Sequence, residues 1–138
     1  MQRPSTRLIE QFSLVKVFQT NNIGAIFNLQ QSNEHASCGD GNEPSSGFSY
    51  LPEIWMDSNI YYYNFGWPDM STPGFQTMLD IVQVMDYTLK KDTKVAIHCH
   101  AGLGRTGLTI ACYYIYAENI ARLVMINCKR LSYISHSQ

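Results

Sequence analysis

Val95-Ala96-Ile97-His98-Cys99-His100-Ala101-Gly102-Leu103-Gly104-Arg105-Thr106-Gly107 is the stretch on which the reading of this chain turns. Val95, Ala96 and Ile97 are apolar without alternation, the pattern of a strand buried on both faces, as in parallel sheets. A Gly-rich turn over residues 101–107 then leads directly into Leu108 to Tyr116, whose composition predicts an apolar, largely buried helix.

The flanking sequence extends this pattern. Thr72-Pro73 reads as a cap and first-turn pair, and Phe75, Met78 or Leu79, Val82, Met85 and Leu89 fall on one helical face. Before it, Ile60 to Phe65 reads as a strand leaving through Gly66-Trp67-Pro68-Asp69, with the run Tyr61-Tyr62-Tyr63 taken as strand and core. Pro52 opens a short helical turn through Asp57, and residues 31–47, rich in Ser, Asn, Gly and Glu without periodicity, form a loop. Ile23 to Leu29 has the length and composition of a buried strand. Residues 4–20 predict a first helix capped by Ser5 or Thr6, with Leu8, Phe12, Val15 and Phe18 or Gln19 at helical spacing. The order helix, strand, strand, helix, strand, helix argues an α/β fold with a mostly parallel central sheet flanked by helices. Ligands in such sheets bind at the carboxyl ends of the strands. Residues 1–138 are one domain by length.

Composition excludes several classes. The chain is 45% hydrophobic and 15% charged, as globular proteins are, and its formal net charge of -1 gives no footprint for nucleic acid or an anionic membrane. Leu108 to Ala117 is too short and too interrupted to span a bilayer, and Met1-Gln2-Arg3-Pro4 opens no signal peptide. Cytoplasm or nucleus is therefore expected. There Cys38, Cys99, Cys112 and Cys128 are thiols, with Cys112 and Cys128 read as small core hydrophobes and Cys38 as structural or exposed, able in one reading to approach Cys99 and protect it as a disulfide. With no CxxC, and with His98, Cys99 and His100 alternating faces, no metal and no cofactor is expected.

The signature stretch carries the chemistry. If the loop folds as a concave nest, the N–H groups of His100, Ala101, Gly102, Leu103 and Gly104 point inward, and the helix N-terminus adds its positive dipole end. Gly102 and Gly104 suit such a turn, and Gly107 suits close packing at the helix start. The same field favours the Cys99 thiolate over the thiol. The planar fork of Arg105 can take two oxygens of a bound phosphate, and the Thr106 hydroxyl can donate to the Cys99 sulfur. The loop lacks the GxxxxGK[ST] pattern of nucleotide sites.

His98-Cys99 through Arg105-Thr106-Gly107 resembles the HC-x5-R-[ST]-G signature of the protein tyrosine phosphatase superfamily, and the wider chain resembles its dual-specificity branch. Arg3-Pro4-Ser5, Asn28-Leu29-Gln30, Glu34-His35-Ala36-Ser37-Cys38-Gly39 and Phe65-Gly66-Trp67 carry that likeness, over about residues 1–117. The resemblance implies a phosphotyrosine-phosphatase-like fold, shortened at both ends, with little before Arg3 and few helices after Lys129-Arg130. It implies Cys99 as nucleophile, forming a phosphocysteine, and Arg105 as phosphate ligand. Asp69, within Trp67-Pro68-Asp69 thirty residues before Cys99, would be the general acid, Trp67 its hinge anchor and His98 an orienting residue. The substrate it implies is a phosphorylated protein, phosphotyrosine first and phosphoserine or phosphothreonine besides, because phosphoinositide phosphatases of the superfamily tend to carry lysines where this chain has His100, Ala101, Leu103 and Gly104. An inactive phosphate-binding module and a lipid or RNA phosphatase remain the alternatives, and the oligomeric state is not legible.

Overall fold

A computed structural model describes residues 1–117; Cys128 and the segment after Lys129-Arg130 lie outside the described residues. The elements run α1 (Thr6–Gln11), α2 (Leu14–Thr20), β1 (Ile23–Asn28), α3 (Glu53–Met56), β2 (Tyr61–Asn64), α4 (Phe75–Leu89), β3 (Lys94–His98) and α5 (Gly104–Ala117).

The three strands form one parallel sheet in the order β2-β1-β3. β1 is central because its residues are apolar on both faces. Ala25, Phe27 and Leu29 pack with Ile81 and Met85 of α4, Ile97, Cys99 and Trp67 on one side. Ile26 packs with Ile9, Phe18, Trp55, Tyr50, Ile60 and Ala96 on the other. The period-two alternation of a strand feeds two cores from one run of sequence. Registers Asn28↔Asn64 and Asn28↔His98 bring the carboxyl ends of all three strands level. Cys99 and the loops after β1 and β2 therefore open on the same edge.

Several boundaries differ from those predicted. The first helix is two, because Ser13 sits in the left-handed region at φ 48° and breaks it. The break lets α1 turn Ile9, and α2 turn Phe18, onto the sheet while Phe12 is left exposed. Ser5 does cap α1, accepting from the Leu8 N–H at 3.3 Å. α4 starts at Phe75 behind Gly74 and not at Thr72-Pro73, and Phe75 points to solvent. Tyr61 is also exposed, since β2 is an edge strand.

The largest correction concerns α5. It begins at Gly104, so Arg105, Thr106 and Gly107 belong to its first turn and not to the preceding loop. It is not largely buried: among the described residues only Arg105, Thr106 and Thr109 are, while Ile110, Tyr114, Ile115 and Tyr116 are exposed. Among the described residues the helix packs on α4 and β3.

Candidate active site

Cys99 follows the last residue of β3 and faces the first turn of α5. It is 4% exposed. Burial pushes the thiol pKa up, but the Thr106 hydroxyl, the N–H groups of Thr106 and Gly102, and the Arg105 charge together outweigh it, so Cys99 lies below the ordinary thiol range. The Thr106 Oγ1 donates to Sγ at 3.3 Å. Of the glycines, Gly102 is the one that the turn requires: its φ is +80°, and a Cβ there would run into the backbone of Met1. Gly104 and Gly107 have open space around a Cβ and ordinary φ, so the turn and packing roles predicted for them are not needed.

Arg105 is buried, and its donors can be counted. Nη1 donates to the Trp67 carbonyl at 2.9 Å, the Leu29 carbonyl at 3.2 Å and Glu34 Oε2 at 2.8 Å. Nη2 donates to Glu34 Oε1. The Glu34 carboxylate thus closes on the end of the fork in a two-pronged pair. Nε–H is buried with no partner. A buried charged donor left open is costly unless something comes to it. Burial alone would lower the Arg105 pKa, and the Glu34 contacts reverse that, so the guanidinium stays charged. Burial likewise pushes Glu34 up, and Arg105 with the Gln31 N–H holds it below the carboxylate range.

Asp69 comes to the same place from the loop after β2. Its Oδ1 lies 3.4 Å from Arg105 Nη2, and its Oδ2 pairs with His35 Nε2 at 2.9 Å. The His35 hydrogen bond, then the Met70 N–H and Arg105, hold its carboxyl below the usual range. Trp67 anchors this loop: its ring is buried, its Nε1 donates to the Ser71 carbonyl at 3.1 Å, and its own carbonyl accepts from Arg105. His98 is buried and works through hydrogen bonds. Nδ1 donates to the Cys99 carbonyl at 3.2 Å and Nε2 accepts from the Tyr50 hydroxyl at 2.6 Å. Burial lowers its pKa to about 3, so the ring is neutral.

Cys99, Arg105, Asp69 and Thr106, singled out from sequence, are therefore brought together. Around them, Ala101 and Leu103 stand exposed, and His100 has its Nδ1 buried without a partner. Glu34, His35, Tyr50 and Arg3 were not legible as site residues. Arg3 clamps the loop 31–47 from inside, donating to the carbonyls of His35 at 3.1 Å and Cys38 at 2.7 Å and to Asn42 Oδ1 at 3.1 Å. His35 stacks on His100, ring centroids 4.1 Å apart at 20°. The sequence signals for Arg3, Glu34 and His35 are their places in stretches that carry the family likeness and, for Glu34-His35, an adjacent titratable pair in an otherwise small and polar segment. His35, Cys38 and His100 bring three donor atoms within 4.8 Å of one another. Within this trio the His35 and His100 rings stack, and His35 Nε2 is engaged by Asp69.

The family described as "Polymorphic toxin system, DSP-PTPase phosphatase" matches residues 2–119. The chain belongs to the DSP-PTPase phosphatase family. Among relatives of this DSP-PTPase, protein tyrosine phosphatase domain-containing protein 1 of Bos taurus is 48% identical over 133 residues, 94% of this chain and 17% of its own length. The protein of the same name in Danio rerio is 43% identical over 94% of this chain and 18% of its length. The chain thus spans about a sixth of these relatives. The crystal structure of Tk-PTP in the active form superposes with a TM-score of 0.65 at 21% identity, over 86% of this chain and 67% of that one, a likeness of fold. The α/β fold of the DSP-PTPase, a three-stranded parallel sheet flanked by helices, agrees with the sequence reading. Among its described residues no helix is long and apolar enough to cross a membrane.

Proposed function

We propose that this chain is a single cysteine-dependent protein phosphatase domain, hydrolysing phosphotyrosine and also phosphoserine or phosphothreonine through a phosphocysteine. The observation that carries this reading is the open Nε–H of a buried Arg105, beside a thiol whose pKa is lowered by donors at the start of α5. A phosphate dianion seated on the N–H groups of the loop 100–104 satisfies that donor. The Cys99 thiolate then attacks phosphorus as the bond to the leaving oxygen breaks, and Asp69, which must first take up a proton from solvent against its lowered pKa, delivers that proton to the leaving oxygen. Water next attacks the phosphocysteine, Asp69 takes a proton from it, and thiolate and phosphate are released. Arg105 follows the equatorial oxygens through both steps, and Thr106 donates to the departing sulfur at 3.3 Å in the ground state.

Three free thiols among the described residues favour a reducing compartment, cytoplasm or nucleus. The absence of lysine from the loop 100–104 favours a protein phosphate over a phosphoinositide. A second reading, a phosphate-binding module without turnover, has one observation in its favour: Asp69 is paired with His35 and Arg105 and so held ionised. Phosphate release from phosphotyrosine, phosphoserine and phosphothreonine peptides, with Cys99→Ser alongside, separates the two. The phosphatase reading expects turnover that vanishes in Cys99→Ser while tungstate still binds. Equal, background-level release by both proteins would leave only the binding module.

A further inference from the structure

The loop 31–47 does more than cover the site, because two adjacent residues of it reach two different functional groups. Glu34 closes on Arg105, and the His35 ring reaches Asp69. Asp69 is carried on an exposed stretch whose next residue, Met70, has φ 56° and a fully exposed side chain. Apart from the 3.4 Å approach to Arg105, the His35 ring is the one side chain that ties the Asp69 carboxylate down among the described residues. The ring is itself held on several sides. It stacks on His100 of the signature loop, its Nε2 lies 3.5 Å from Glu34 Oε1, and its carbonyl is pinned by Arg3. Its backbone sits at φ 50°, a conformation kept only where surrounding contacts hold it.

We propose that His35 is a positioning residue for Asp69: stacked on His100, it holds the Asp69 carboxylate beside Arg105 and so couples the acid-bearing loop to the loop 31–47. This rests on Asp69 being the general acid of the proposed phosphatase. The carboxylate accepts from Nε2–H, which favours its ionised form. The groups facing the pair are Glu34, Arg105, His100 and the Cys38 thiol, and of these Arg105 at 3.4 Å and a Glu34 carboxylate oxygen within 4.8 Å also approach Asp69. In the second step, where Asp69 takes a proton from water, the same hydrogen bond keeps the base in place.

Two substitutions separate the functions of the ring. His35→Phe keeps a flat ring for His100 and loses the donor; His35→Gln keeps an N–H near the Nε2 position and loses the stack. The direct readout is the carboxyl titration of Asp69 followed by NMR on the full chain, which needs no turnover. In His35→Phe the Asp69 midpoint moves to higher pH, and in His35→Gln it returns toward the parent value. In turnover, the basic limb of kcat/KM moves the same way. Below the Asp69 midpoint of both proteins, where the acid is protonated in each, His35→Phe loses about tenfold in kcat with an alkyl phosphate and little with an activated aryl phosphate, a fraction of the roughly 10² to 10⁴ an acid contributes. In an Asp69→Asn background the substitution changes nothing further. An Asp69 midpoint that stays put in a folded His35→Phe protein overturns the inference, as does an equal rate loss with and without Asp69. Absence of turnover in every variant together with a shifted midpoint sinks the phosphatase reading and leaves the positioning role standing.

Discussion

Two loops meet at Arg105 and hold their ligands by different means. The signature segment, residues 99–106, works through its main chain: N–H groups of Gly102 and of Thr106 in the first turn of α5 face the Cys99 sulfur, and the side chains of Ala101 and Leu103 are exposed. The loop 31–47 works through side chains, with Glu34 on the guanidinium and His35 on Asp69. A main-chain cradle depends on backbone angles and tolerates changes at its variable positions. A side-chain clamp fails with one substitution.

The largest effect should come from Arg105, where the loops meet. Arg105→Lys replaces a fork by a point charge, loses the two-pronged Glu34 contact and leaves the phosphate one donor short; a kcat loss of about 10² to 10³ is expected in steady-state assays. Near-parental kcat would mean that Arg105 only caps α5. Next comes Glu34→Ala, which leaves the Arg105 charge buried against carbonyls alone. Breaking such a pair costs about 3 kcal/mol, read as a shift in the urea midpoint. A change below about 0.5 kcal/mol would place loop 31–47 on the surface in energetic terms, with no grip on the site.

Acid distinguishes the two loops further. His98, which supports the signature loop, has its pKa lowered from 6.5 to about 3. Between those values the unfolded chain binds a proton that the folded one refuses, so stability falls as pH falls, by ~1.4 kcal/mol per unit. Glu34 has its carboxyl lowered below 4.5, so its contribution is present above 4.5 and is lost as pH drops through its folded value. Urea midpoints from pH 7 to 4.5 therefore report His98 together with His100 and the Met1 amino group, whose pKa values burial also lowers, and His98→Gln should make that slope shallower. A slope unchanged by the substitution would assign the acid sensitivity elsewhere. The smallest effect is Leu103→Ala, within about 0.5 kcal/mol in stability and with kcat unchanged, because the side chain is exposed on a loop that works by its backbone. A substantial loss there would show that the cradle too reads its side chains.

The same difference governs what could be read from the chain. Cys99, Arg105 and Thr106 are legible because the groups that activate the thiol lie within seven residues of it, and a strand before and a helix after fix their spacing. Asp69 is legible through Trp67-Pro68-Asp69 and the resemblance it carries. Glu34 and His35 stand 71 and 34 residues from Arg105 and Asp69 respectively, and no local periodicity ties them there. A buried arginine requires a counter-charge, but nothing local in the sequence says that Arg105 is buried or that Glu34 provides it. Strand β1 was legible because both faces are apolar. The break at Ser13 was not, since the left-handed backbone there is set by how α1 and α2 each reach the sheet. The exposed flank of α5 was misread because apolar composition signals burial only where another element covers it, and among the described residues α4 and β3 are the elements packed on it.

The position of β1 at the centre of the sheet has a consequence for biosynthesis. It is made before β2 and β3, yet it pairs with both of them, one along each edge. Its last residue is Asn28, whereas β3 begins at Lys94, 66 residues later. At about 5–20 residues per second of translation, that edge waits roughly 3 to 13 s for its partner. During that interval Ala25, Ile26 and Phe27 have no β3 beside them, and an exposed edge of apolar strand is the kind of segment that chaperones bind. Slow ribosomes should lower the soluble yield of this chain more than that of a protein whose neighbouring strands are made in succession.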